Sequence, residues 1–401
     1  MRLFESVLAP LIHLRRPQRK FLTHLMRLLL MLPGHVTFRN LSRYSPYHER
    51  TFARHFASTV DFVALNTAAI KRVVPPDHEQ ALVLDASFVP KSGKHTYGLA
   101  RFWNGTQSRT EKGLELSALG WLDVTDNCAY ILSVEQTPPT GSATAPETTR
   151  IDIYLDQVTR VVQQHALYPL RYVVTDGYYS KQKFLVGIRA LDLHQIGKLR
   201  RDANLRYLYD GPPRSGPGRP KQYDGKVHWS ELSRFERMAS GDAGIVLYTQ
   251  VVNHVQFKCN VRVVMVVDTG THRSALLFST DVDLTAERLY GYYKARFQIE
   301  FLFRDAKQFT GLSDCQARSQ AKLAFHFNMS LMAVTFAKLE ARQDAYDQLT
   351  GFSMASLKRR YFNQHLVDRI LTILAEGTTL DKSSPAYESL CNYGTITGMV
   401  A

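Results

Sequence analysis

The sequence predicts an α/β protein, with a mixed sheet flanked by helices, a β-rich interruption and helical regions at both ends. Three observations predict it. After Pro75-Pro76 the texture changes from helical to strand-like, and up to about residue 199 strand runs give way to alternating helix and strand. From 200 to 280 strand patterning continues with no helical period between the runs. The flanks, 1–76 and 316–401, read as helix. The expected division is a helical N-terminal region (1–76), an α/β core in two pieces (77–199 and 281–315), a β-rich insertion (200–280) and a helical C-terminal region (316–401).

Within the first region, 37–44 and 47–56 read as short amphipathic helices joined at Ser45-Pro46. That is the pattern of a helix-turn-helix whose second helix carries Arg50, Arg54 and His55; an ordinary helical pair with a solvated basic face has the same spacing. In the core, strands are expected at 81–88, 114–121 and 129–134, a helix at 148–166, a strand at 170–175, a helix at 181–190 and a strand at 194–199. The insertion carries strands near 247–252, 257–267 and 275–279 and a Gly- and Pro-rich loop over 211–221. From Leu284 onward helix dominates, with Asp283 placed to cap its start. Helices over 321–342 and 354–375 read as amphipathic, and the apolar run from Met329 to Phe336 suits either core or a dimer face.

Fifty Lys plus Arg against thirty-six Asp plus Glu give a formal charge of +14, an excess that favours a polyanionic partner. The four cysteines, Cys128, Cys259, Cys315 and Cys391, form no C-x-x-C pair, which argues against a zinc ribbon or disulfide framework and fits a reducing cytoplasm. The apolar stretch 21–33 is too short to span a bilayer and contains His24 and Arg27, and no signal peptide is evident.

Asp85 interrupts the strand run Leu82-Val83-Leu84-Asp85-Ala86, and a buried carboxylate there needs a partner or a metal. Asp176 ends a second such run, just before Gly177. Either alone is equally readable as a hydrogen-bonded structural Asp. The third element is the helix through Tyr293, Arg296, Glu300 and Lys307, whose offsets of 3, 7 and 14 residues fall within roughly a 60° arc at ~100° per residue. A solvated charged face shows the same stripe. Here, however, Phe297, Ile299, Phe301 and Phe303 flank it, so the helix reads as packed.

Tyr293-x2-Arg296-x3-Glu300-x6-Lys307 resembles, without a gap, the Y-R-E-K signature of DDE-class bacterial insertion-sequence transposases, in the insertion-sequence-four family. The order of regions is similar over nearly the whole chain. The resemblance implies an RNase H-like core that binds two Mg²⁺ ions, or Mn²⁺, through Asp85, Asp176 and Glu300, and cuts and joins DNA by two-metal phosphoryl transfer. It further implies phosphate contacts from Tyr293, Arg296 and Lys307, inverted-repeat ends and target DNA as partners, a homodimer on paired ends, and a bacterial, nucleoid-associated location. Relatives that form a hairpin intermediate hold a flipped base on an aromatic, for which Phe297 is a candidate. A catalytically silent, transposase-derived DNA-binding protein or repressor is the alternative, against which the three intact acids count.

Lys91-Ser92-Gly93-Lys94-His95-Thr96 is not a P-loop, because the position five before Gly93 is Phe88 rather than Gly. Lys91 and Lys94 suit a basic turn near the DNA, or a plain basic turn. Arg219 and Lys221 in Gly218-Arg219-Pro220-Lys221 resemble a minor-groove hook, or a simple flexible loop. Asp305-Ala306-Lys307 resembles the tail of a restriction-type nuclease motif but falls inside a helix.

Overall fold

The computed structural model describes residues 2–10, 14–139, 148–165, 167, 170–212, 220–229, 231–344, 351–378 and 380–395. Five N-terminal helices, α1 (Arg2–Leu8), α2 (Arg16–Met31), α3 (Phe38–Arg43), α4 (Glu49–His55) and α5 (Phe62–Val73), precede the first strand. Thr37 caps α3 by accepting from the Asn40 amide (3.2 Å), and His48 caps α4 through Nδ1 from the Arg50 amide (3.2 Å). The second helix of the pair therefore starts two residues later than the sequence suggests.

The sheet begins with β1 (Gln80–Pro90), β2 (Ala100–Asn104), β3 (Arg109–Asp123) and β4 (Cys128–Thr137). After α6 (Arg150–Gln164), capped by the reciprocal Thr149–Asp152 box, come β5 (Tyr172–Thr175), α7 (Gln182–Arg189) and β6 (His194–Leu199). β1, β5 and β6 run parallel, while β3 lies antiparallel to β1. This is a large mixed sheet flanked by helices, the RNase H-like arrangement of DDE nucleases. β2 was not foreseen; five residues that alternate between solvent and core are a weak signal.

The strand-rich stretch extends this same sheet. β7 (Leu205–Leu208), β8 (Tyr223–Lys226), β9 (Glu236–Ala239), β10 (Ile245–His254), β11 (Cys259–Asp268) and β12 (Ser274–Ser279) follow, and β12 pairs antiparallel with β6 to give the path β2-β3-β1-β5-β6-β12-β11-β10-β7-β8. A second apolar cluster, with Leu199, Leu205, Val252, Val261 and Phe278, fills this part. Helices then return as α8 (Ala286–Ala295), α9 (Gln298–Phe309), α10 (Gln320–Gln343), α11 (Met354–Ala375) and α12 (Pro385–Cys391). Thr285, not Asp283, caps α8 by accepting from the Arg288 amide.

The expectation that α10 is amphipathic fails, because it is buried on nearly all sides. Its few polar residues have a specific task. Leaving the outer edge of β4 unpaired would strand amides and carbonyls in the core. The Thr335 hydroxyl accepts from the Ile131 amide (2.8 Å), and Asn328 both accepts from the Val134 amide (3.0 Å) and donates to its carbonyl (2.8 Å). Asn66 of α5 donates to the Leu132 carbonyl (3.1 Å). Helix side chains thus complete the ladder, and the run from Met329 to Phe336 is core.

Candidate active site

Leu84 of β1 pairs with Thr175 of β5, so Asp85 and Asp176, each one residue further along parallel neighbours, stand level across about 4.8 Å of strand spacing. Asp176 leaves the sheet as cap of a 3₁₀ turn, accepting from the Tyr178 amide (2.9 Å). Glu300 arrives on α9, which packs on β1 and β4 through Ile299, Leu302, Phe303 and Ala306.

The expected single helix through Tyr293 and Lys307 is two segments. At Arg296-Phe297 the amides of Arg296, Phe297, Ile299 and Glu300 reach back only three residues, to Tyr293, Lys294, Arg296 and Phe297 (3.0–3.4 Å). Tightening at that point lets Arg296 turn into the sheet while Phe297 and Phe301 stay outside, 51% and 39% exposed, contrary to the packed surroundings expected of them. The Arg296 and Arg304 guanidinium groups lie 4.9 and 4.7 Å from those rings.

Arg296 is the hub. One terminal nitrogen donates to Asp85 Oδ2 (3.2 Å) and the other to Glu300 Oε1 (3.0 Å), with the guanidinium buried and its Nε without a partner among the described residues. Burial pushes the Asp85 carboxyl up to about 7, against the pull of Arg296 and with the push of the Asp176 and Glu300 charges. Burial likewise raises the Tyr293 phenol, whose ring lies 5.7 Å from the Arg296 guanidinium. Burial lowers the Lys307 amine, which donates to Ser87 Oγ (2.9 Å), two residues along β1 from Asp85.

The donor set fits divalent magnesium or manganese. Carboxylate oxygens are the hard ligands such ions prefer. Three acids stand against one guanidinium, which already bridges two of them. Among the described residues, the group of His, Asp and Glu with ligand atoms within 4.8 Å of one another is a different one, His78, Asp123 and Asp126. It lies five residue pairs away along β1 and β3, roughly 17 Å. There Arg342 donates to Asp123 (2.9 Å) and pairs with Asp126, so a resident cation already sits on both acids.

The remaining candidates are dispersed. Arg50 and Arg54 are exposed one turn apart on α4, whereas His55 stacks on Phe21 (4.0 Å). Lys91 donates to the Cys315 carbonyl and is half-buried, while Lys94 is exposed. Lys221 pairs with Asp224 (2.7 Å), and Arg219 lies outside the described residues. Sequence reading missed a groove of about 670 Å³ between α1 and α2, lined by Arg16, Arg19, Lys20 and Arg27, the last paired with Glu5 (2.7 Å), and reaching Tyr47. The i, i+3, i+4 spacing of its first three cations on α2 was the available signal.

The chain belongs to the DDE superfamily endonucleases, whose family pattern matches residues 7–240, more than half of the 401. The match includes Asp85 and Asp176 and ends before Glu300. It makes this a nuclease- or transposase-type enzyme, with DNA as the implied substrate and divalent metal as the usual cofactor of the family. No curated protein matches the chain. No helix among the described residues is long and apolar enough to cross a membrane.

Proposed function

We propose that the protein is a transposase of the Y-R-E-K insertion-sequence type, which cuts double-stranded DNA at the inverted repeats of its element and joins the freed 3′ end to target DNA. The observation that carries the reading is the convergence of strand-borne Asp85 and helix-borne Glu300 on one buried guanidinium, with Asp176 level beside them. Two Mg²⁺ ions, or Mn²⁺, held by Asp85, Asp176 and Glu300 would activate water or a 3′-hydroxyl and stabilise the leaving oxygen.

The chain's own residues do the rest. Arg296 bridges Asp85 and Glu300 while the acids lack metal, then turns its planar fork to a phosphate beside the cut. Tyr293 keeps its proton because burial raises its phenol, and so serves as a hydrogen-bond donor to phosphate. Lys307, anchored at Ser87, puts positive charge beside the scissile strand. Exposed Arg50 and Arg54, with the α2 groove, supply phosphate contacts at the repeat. Two copies act together on two ends, and the exposed side chains Val367, Leu371 and Leu374 on one side of α11 offer an apolar surface for pairing.

The test is incubation with Mg²⁺ and duplex DNA containing the sequences that flank the reading frame. Wild type should cut at fixed positions, and Asp85→Asn and Glu300→Gln should not. Cutting indifferent to both substitutions removes the assignment. Binding without cutting points to a silent DNA-binding protein, and cutting with no preference for the ends points to a general nuclease.

A further inference from the structure

Beyond the end of β1 the sheet narrows to two strands. β3 pairs with Pro90 of β1 at Gly113, and past that residue only β2 accompanies it, from Gly113–Ala100 to Arg109–Asn104. Gly113 is required where the ribbon departs, since a Cβ there would stand 2.4 Å from the Phe88 ring and 2.5 Å from the Val89 carbonyl. The turn is braced from within. Asn104 accepts from the Thr106 amide (3.1 Å), and Glu111 is held by Asn104 (2.6 Å) and by Arg109 (2.8 Å).

The pleat fixes which way each side chain faces, because directly paired residues share a face and alternate residues switch. Asp85 pairs with Ala118, so the even-numbered residues of β3, including Lys112 and Thr110, lie on the Asp85 face. Their partners on β2 are Arg101 and Trp103. The opposite face is closed, with Phe102 buried beneath Arg150 of α6. The Asp85 face of the ribbon is open. Trp103 is 57% exposed, and among the described residues neither Arg101 nor Lys112 forms an ion pair.

We propose that this ribbon is a DNA-gripping arm that holds the duplex about six to eight nucleotides from the scissile phosphate, with Trp103 against the DNA and Arg101 and Lys112 on its backbone. The spacing follows from the six to eight β3 residues that separate Ala118, level with Asp85, from Lys112 and Thr110. Each advances about 3.4 Å, close to the per-nucleotide rise of a DNA strand. Charge selects the occupant: Lys112 and Arg101, which donates to the Thr110 carbonyl (3.0 Å) but among the described residues forms no ion pair, flank an aromatic on a chain of net charge +14, and a two-stranded ribbon has the width to enter a major groove. The proposal rests on the reading of Asp85 as part of the cutting site.

The experiment uses the full chain and a duplex of arbitrary sequence long enough to span site and ribbon. Of the three tryptophans, Trp121 is buried and Trp229 partly so, which leaves Trp103 as the exposed reporter. Duplex should quench the intrinsic emission of wild type, and Trp103→Phe should remove that quenching. Trp103→Ala should bind roughly tenfold more weakly. Arg101→Ala with Lys112→Ala should reduce the slope of log K against log salt by about 1.8. Melting temperatures should be unchanged throughout. Quenching that survives Trp103→Phe, or an unaltered affinity and salt slope, overturns the proposal. So does a Trp103→Ala variant whose sedimentation changes without DNA while its DNA affinity does not, for then the ribbon joins two copies. A silent ribbon on a chain that still binds duplex leaves the DNA-cutting reading intact, whereas a wild type that binds no duplex defeats both.

Discussion

Asp123 on β3 and Asp85 on the neighbouring β1 each meet an arginine and a second carboxylate, yet the two clusters differ in how many cations they hold per acid. At one end Asp123, fully buried, accepts from His78 (3.0 Å), from Arg342 (2.9 Å) and from the Asp126 amide (3.1 Å), and Arg342 also pairs with Asp126. Two acids thus share an arginine and a histidine. At the other end Asp85 and Glu300 share Arg296, with Asp176 level beside Asp85, and among the described residues the Arg296 Nε has no partner. The tighter cluster holds one arginine for two acids, the other one arginine for three. Proximity of ligand atoms alone would choose His78, Asp123 and Asp126; counting counterions chooses Asp85, Asp176 and Glu300.

The comparison breaks first on cleavage. Asp85→Asn should lower Mg²⁺-dependent cutting on the order of 10³-fold or more, while Asp126→Asn leaves it within a few fold, both measured on end-containing duplex. Equal losses would erase the distinction. Next is stability. Asp123→Ala takes the buried acceptor away from Arg342, His78 and the Asp126 amide and should cost about 3–5 kcal/mol in denaturant unfolding, with cutting retained in the folded fraction.

The third prediction concerns pH. Burial holds Asp85 protonated up to about 7, above its unfolded value, so between roughly pH 4 and 7 the folded metal-free protein binds the extra proton. Stability from this group is present below that window and lost as the pH rises through it, by up to roughly 4 kcal/mol. Asp85→Asn should flatten that part of a plot of unfolding free energy against pH. The smallest effect belongs to Arg296→Gln. Relieved of a competing cation, the acids should bind Mn²⁺ about tenfold more tightly by calorimetry, even though the metal-free protein is less stable. Weaker Mn²⁺ binding would make Arg296 a scaffold for the site rather than its placeholder.

The sequence made the acids legible because a carboxylate inside a buried-strand run is an anomaly wherever it occurs. Asp85 and Asp176 stand beside each other because β1 and β5 pair in parallel register. Glu300 stood out in the sequence through its place on a helical stripe. What lay opposite the stripe was not. A helical wheel gives direction around an axis, not the identity of the neighbour, so Arg296 on two carboxylates and Lys307 on Ser87 were invisible. The break at Arg296-Phe297 was equally hidden, since both residues keep helical dihedrals and neither is Gly or Pro. In the fold, the strands around Asp85 announced themselves by apolar runs, whereas β2 is short and half in water. The polar residues of α10 had no local meaning until the edge of β4 was set beside them.

That last arrangement has a consequence for synthesis on the ribosome. β4 ends at Thr137 and the helix that closes its edge begins at Gln320, more than 180 residues later. At roughly 5–20 residues per second, a nascent chain carries an open strand edge for about ten to forty seconds before the closing helix emerges. Until then the half-made enzyme is exposed to strand pairing with its neighbours, and any product truncated before that helix keeps the exposure permanently.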